Sequence, residues 1–331
     1  MKNFFCSCGE QIFFDNVKCI ACGARVGFDP EAMTMVQVIE HSPFKHCDNY
    51  NHDACNWVLP TDSDNSFCWA CQFNRTIPNL ALPNNPRRFA ALERAKKNLF
   101  YTVLGEGLPL ENRWINPAHG LLFDFLDDAR GQAETYPGGC ISTGYFDGVI
   151  TINAVEADEV LRKEAEVALG ERYRTLLGHF RHEYAHYVWT LLPHLVKSSN
   201  QFSTLFGNYT ADYSLAIENH YAQGPPSTWE TSFISAYASA HPLEDWAETL
   251  GHYLLIIDAL ETAFASGFVD DDPTTWTLDK KLDQWAALAI SLNNMSQSVG
   301  REIFYPFSIS PSVRKKLDFV QEAIRSISLA H

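Results

Sequence analysis

Eight of the nine cysteines in this 331-residue chain lie before residue 72. They stand at Cys6, Cys8, Cys19, Cys22, Cys47, Cys55, Cys68 and Cys71, and the ninth, Cys140, stands alone. A stretch of 75 residues with weak helical periodicity has little apolar surface to bury, so it needs a covalent or metal staple to fold. Residues 1–21 carry cysteines where an export signal would carry an unbroken apolar core. Paired cysteine spacing without an export signal reads as thiolate metal binding rather than as disulfides. The expected location is cytoplasmic.

Cys6-x-Cys8 and Cys19-x-x-Cys22 form two close pairs, and two tight turns can bring four sulfurs tetrahedrally around one zinc. Gly9 and Gly23 follow the second cysteine of each pair, where such a turn favours a positive φ. The second set, Cys47, Cys55, Cys68 and Cys71, contains one tight half-site, Cys68-x-x-Cys71. Its other half is looser, and His46 or His52 could replace a cysteine there. Residues 1–75 therefore read as a tandem zinc-ribbon module with two structural zincs. The module holds five Lys/Arg and nine Asp/Glu, a balance of 5 − 9 = −4, within a chain of formal charge −15. That charge disfavours a phosphate backbone as partner and leaves protein contact open. No nucleic acid and no membrane are expected.

A linker over 76–86 carries Pro78, Pro83 and Pro86, after which helical patterns begin. Residues 88–104, 156–169, 171–192, 243–265, 279–296 and 311–327 read as helices, and 142–154 reads as a strand. The second division, 76–331, is thus expected to be mostly helical with a small sheet, and the whole chain α+β.

Within the helix over 171–192 stands His182-Glu183-Tyr184-Ala185-His186. A spacing of four puts both imidazoles on one helix face, close enough to share a metal ion, and places the intervening carboxylate within reach of the attacking water. Zinc held there would activate that water, with Glu183 as general base. A third ligand is needed. Glu244 and Glu248 lie one turn apart among apolar neighbours, where unpartnered acids are costly to bury. Glu244 is assigned to the zinc, and Glu248 to the ring N–H of a ligand histidine. His179 shares the face of His182 and is an alternative ligand. His241 could contact substrate or a carbonyl, Asp212 and Tyr213 could line the cleft, His220 and His252 read as structural, and Cys140 as an inert apolar residue.

The two helices resemble those of gluzincin metallopeptidases, in which a second helix supplies a glutamate ligand. Tyr237, Glu244 and Glu248 match in order and spacing the tyrosine, ligand glutamate and supporting glutamate of lethal-factor-like peptidases. The resemblance implies that Tyr237 helps stabilise the oxyanion. Over nearly the whole chain the sequence resembles the bacterial zinc-binding metallopeptidases with an amino-terminal zinc ribbon, on the runs 173–183 and 235–248. One departure is Ala185, where such motifs usually have glycine; alanine suits a helix at least as well. The resemblance implies a zincin-like domain that hydrolyses peptide bonds, a peptide or protein substrate, and one catalytic zinc beside two structural ones. Two other readings compete: a protein-binding ribbon protein whose peptidase domain lacks turnover, and a zinc hydrolase of non-peptide amides.

Overall fold

The computed structural model describes residues 1–127, 141–169 and 172–328; Cys140 lies outside them. The chain is α+β, with small sheets in its first part and helices dominating the rest. It packs as two compact units, Met1–Ala165 and Glu166–His331.

The first unit opens with three short antiparallel pairs: β1 (Phe4–Phe5) with β2 (Gln11–Ile12), β3 (Val26–Asp29) with β4 (Thr34–Gln37), and β5 (Phe44–His46) with β6 (Val58–Pro60). Strands this short bury little by themselves. Their stability comes from an aromatic cluster in which Phe4, Phe14, Phe28 and Trp57 meet Tyr101 of α1 (Asn85–Gly105). Helix α1 begins at the expected linker, with Pro86 in its first turn, where a missing N–H costs nothing.

Helix α1 also carries a buried charge cluster. Lys96 and Lys97 both pair with Glu93, and Lys97 Nζ donates to Ala54 O at 3.1 Å. The cluster joins the helix to the loop that bears Cys55.

A four-stranded sheet completes this unit, in the order β7 (Asn74–Thr76), β8 (Leu122–Leu126), β10 (Val149–Asn153), β9 (Gly144–Phe146). β8 runs parallel to β7 and β10, and β9 is antiparallel to β10. The run 142–154, read from sequence as one strand, is a hairpin. Asp147 and Gly148 both take positive φ, 42° and 73°, and reverse the chain between β9 and β10. The chain then enters α2 (Glu159–Leu169).

The second unit is helical: α3 (Leu176–Leu191), α4 (His194–Lys197), α5 (Asn200–Leu205), α6 (Tyr213–Gln223), α7 (Pro242–Ala265), α8 (Leu278–Ser298) and α9 (Pro311–Ser328). Helix α7 is its centre, burying Trp246, Leu250, Leu254 and Leu260 completely. Among the described residues, no helix is long and apolar enough to cross a membrane.

Candidate metal centres

The eight amino-terminal cysteines form two separate clusters, Cys6/Cys8/Cys19/Cys22 and Cys47/Cys55/Cys68/Cys71. Sulfur pairs lie 3.7 Å (Cys6–Cys22), 3.7 Å (Cys8–Cys19) and 3.6 Å (Cys55–Cys68) apart. These separations are far beyond a disulfide bond of about 2.05 Å. They match the edge of a tetrahedron with Zn–S bonds of about 2.3 Å, which is about 3.75 Å. Gly9 and Gly23 take φ of 92° and 75°, the left-handed conformation that the two turns need. The looser half-site closes with cysteines alone: His46 stacks on Tyr50 and neither it nor His52 joins the cluster.

The third cluster is built by two packed helices of the second unit. α3 starts at Thr175, whose hydroxyl accepts from Gly178 N at 3.0 Å, and stops before Pro193. α7 starts at His241, whose Nδ1 accepts from Leu243 N at 3.1 Å, with Pro242 in the first turn. Buried Trp246 fixes one helix to the other by donating Nε1–H to Ala185 O at 2.9 Å.

This packing brings His182, His186 and Glu244 together, with one ligand-type atom from each inside a 4.8 Å span. His182 Nε2 lies 3.1 Å from His186 Nε2 and 3.0 Å from Glu244 Oε2, and His186 Nε2 lies 3.4 Å from Glu244 Oε1. Behind them, His182 Nδ1 is 2.7 Å from Glu248 Oε1. Glu248 is held near 2, because His182 and Ser235 outweigh the upward push of its burial. An ionised carboxylate only accepts, so His182 donates Nδ1–H to it, which leaves Nε2 as the nitrogen facing His186 and Glu244, the one that would offer a lone pair to a cation on giving up its proton. Glu244 Oε2 is buried and accepts no hydrogen bond among the described residues. Two ring nitrogens 3.1 Å apart thus meet the Glu244 carboxylate, whose Oε2 lies 3.0 Å from His182 and whose Oε1 lies 3.4 Å from His186. These separations are close to the edge of a tetrahedron with bonds of about 2.0–2.1 Å, and the donor set suits zinc. In this arrangement burial opposes charge on each group, yet the mutual contacts hold His182 well above and Glu244 well below their usual ranges.

Glu183 is buried on α3. Tyr237 lies beside His182, with ring centroids 6.0 Å apart, and burial together with the Glu244 charge pushes its hydroxyl far upward. His179 is not in the cluster. His220 packs edge-on to Tyr237, and His252 pairs through Nδ1 with Tyr305 Oη at 2.8 Å.

Two contacts were not singled out by sequence. Ser235 Oγ donates to Glu248 Oε2 at 2.6 Å while accepting from Ala238 N at 3.1 Å. Tyr213 Oη donates to Glu244 Oε1 at 2.8 Å. The usable signals were slight: Ser235 two residues before Tyr237, and Asp212 as a helix-capping residue that starts α6 at Tyr213.

Residues 85–323 match the family described as "Putative zinc-binding metallo-peptidase", and residues 3–82 match a zinc-ribbon domain. Uncharacterized proteins of Mycobacterium tuberculosis and Mycobacterium bovis are each 35% identical over 342 aligned positions, covering 99% of this chain and 96% of theirs. No solved structure matches the chain significantly. The chain belongs to this zinc-binding metallo-peptidase family and carries the amino-terminal ribbon region with it. Zinc is the metal called for both by the family and by the two four-cysteine clusters.

Proposed function

We propose that the protein is a zinc-dependent peptide-bond hydrolase whose reaction centre is the His182–His186–Glu244 cluster, with a gluzincin-type ligand set. The observation that carries this reading is the convergence of the three ligand atoms within 4.8 Å, while Glu248 occupies the far nitrogen of His182. Zinc held there would supply Lewis acidity to the scissile carbonyl and to the attacking water. Glu183, next in sequence to His182, takes the proton from that water and passes it to the leaving amine. Tyr237 stays protonated at neutral pH and donates its O–H to the developing oxyanion. Glu248 and Ser235 hold the His182 ring in one tautomer and one orientation.

In this reading the ribbon module over 1–75 folds around two structural zincs and offers a surface for protein contact. The region over 76–331 carries the chemistry, on a peptide or protein substrate in the cytoplasm.

The test pairs metal content with turnover. Full-length protein should hold about three zincs, two of them thiolate-bound, as the ligand counts require. Glu183→Gln should keep all three and lose hydrolysis of a broad peptide library. A wild type that cleaves no more of that library than Glu183→Gln would refute the peptidase reading.

A further inference from the structure

α6 is weakly packed, with no buried residue along Tyr213–Gln223. Its start is fixed locally, by the Asp212 carboxylate accepting from Leu215 N at 3.0 Å. From that start Tyr213 reaches inward. Its ring meets His241 edge-on with centroids 5.2 Å apart, and its hydroxyl donates to Oε1 of Glu244, a side chain only 1% exposed. Farther along the helix, His220 and Tyr221 pack against the Tyr237 ring, with centroids 5.7 and 6.5 Å away.

The two oxygens of Glu244 are therefore unlike. Oε1 accepts from a phenol at 2.8 Å and lies at the longer distance of 3.4 Å from His186 Nε2. Oε2 accepts no hydrogen bond among the described residues and faces His182 Nε2 at 3.0 Å. A carboxylate free to turn can offer a cation either oxygen or both, and each choice changes ligand count and geometry. A hydrogen bond to one oxygen removes that freedom in advance, as outer contacts to metal ligands commonly do. We propose that Tyr213 is a positioning residue for Glu244: it holds Oε1, presents Oε2 as the single ligand oxygen, and ties metal affinity to the seating of α6 over the site. The proposal rests on Glu244 being a ligand of the third zinc.

The experiment uses full-length protein with both thiolate sites loaded. It measures the affinity of the third site for zinc by chelator competition, and the visible spectrum of cobalt(II) placed there. Glu244→Ala is expected to abolish third-site binding. Tyr213→Phe, which removes only the hydroxyl, is expected to weaken it about ten- to a hundredfold and to shift the cobalt bands. Leu215→Ala, an exposed position on the same helix, is expected to match wild type in both readouts. If Glu244→Ala loses the metal while Tyr213→Phe binds and absorbs like wild type, the positioning role is overturned and the ligand assignment stands. If Glu244→Ala keeps wild-type affinity, both are overturned. Equal losses in Tyr213→Phe and Leu215→Ala would trace the effect to helix packing and also overturn the proposal.

Discussion

Replacing Glu248 separates geometry from charge in the support of His182. The carboxylate accepts from His182 Nδ1 at 2.7 Å and from Ser235 Oγ at 2.6 Å. Glu248→Gln keeps the shape and leaves an amide oxygen able to accept from the imidazole, but removes the charge. A hydrogen bond to an ionised group is worth about 1.5–3 kcal/mol and a neutral one about 0.5–1.5. The difference, about 1–1.5 kcal/mol, corresponds to third-site zinc binding about five- to twelvefold weaker. Glu248→Ala also frees the ring to take the wrong tautomer, and should weaken binding by up to about a hundredfold. Neither variant touches a thiolate site, so two zincs per chain should remain after brief chelation. Chelator titration at fixed pH, with metal analysis of the desalted protein, gives the answer. Wild-type affinity in both variants would refute the tautomer argument, and loss of all three zincs in Glu248→Gln would mean that the residue serves the fold rather than the site.

Three further outcomes follow from buried charges and thiolates. Lys316 Nζ holds buried Asp245 at 2.5 Å and Ser232 O at 2.7 Å. Lys316→Met should cost about 3–5 kcal/mol, or about 6–20 °C in thermal midpoint for a unit of this size, and Asp245→Asn in the same chain should recover most of it. A single-variant midpoint within 2 °C of wild type would contradict this. Lys97→Met removes the cation joining Glu93 to the Cys55 loop. Its expected signature is faster zinc release to a mercurial from the second cysteine cluster and not the first, read as a change in one of two kinetic phases. Strong chelation under reducing conditions should unfold the ribbons, seen as a shift in the emission of Trp57 and Trp69, whose rings stack with centroids 6.3 Å apart beside the second cysteine cluster. An unchanged spectrum after both thiolate zincs are gone would count against a structural role.

What the sequence made legible was local. Four-residue spacing on a helix is enough to align His182 with His186 and Glu244 with Glu248, and paired cysteines followed by glycine carry their turn with them. The split of 142–154 into a hairpin is legible at Asp147-Gly148, a turn pair with positive φ, although the β pattern on both sides reads as one continuous strand. The parallel pairing of β8 with β10 joins segments far apart in sequence, and no periodicity encodes such a partner. Packing of α1 onto the ribbons was equally invisible: Tyr101 reads as an ordinary helix aromatic until Phe4, Phe14 and Phe28 close around it. Tyr213 is a cleft candidate from sequence, but its contact with Glu244 and that of Ser235 with Glu248 are hidden for the same reason, since each acts across a gap of 31 or 13 positions from a stretch of mixed pattern.

Those two residues change how the third cluster should be understood. The short motif on α3 provides two imidazoles, but their usefulness to a metal depends on contacts made elsewhere. His182 is oriented by Glu248 on α7, and Glu248 by Ser235 in the segment before it. Glu244 is oriented by Tyr213 on α6. The segment over 208–240 therefore reaches the proposed ligands at two points, Glu244 directly through Tyr213 and His182 through Ser235 and Glu248, and also carries Tyr237. Lys316 of α9 anchors that segment at Ser232 O, and Ser310 anchors it at Thr231 O. Metal affinity in such a site is a property of the whole helical unit. Substitutions in this segment that leave the motif untouched should still alter the third zinc, in proportion to how far they release Ser235 or Tyr213.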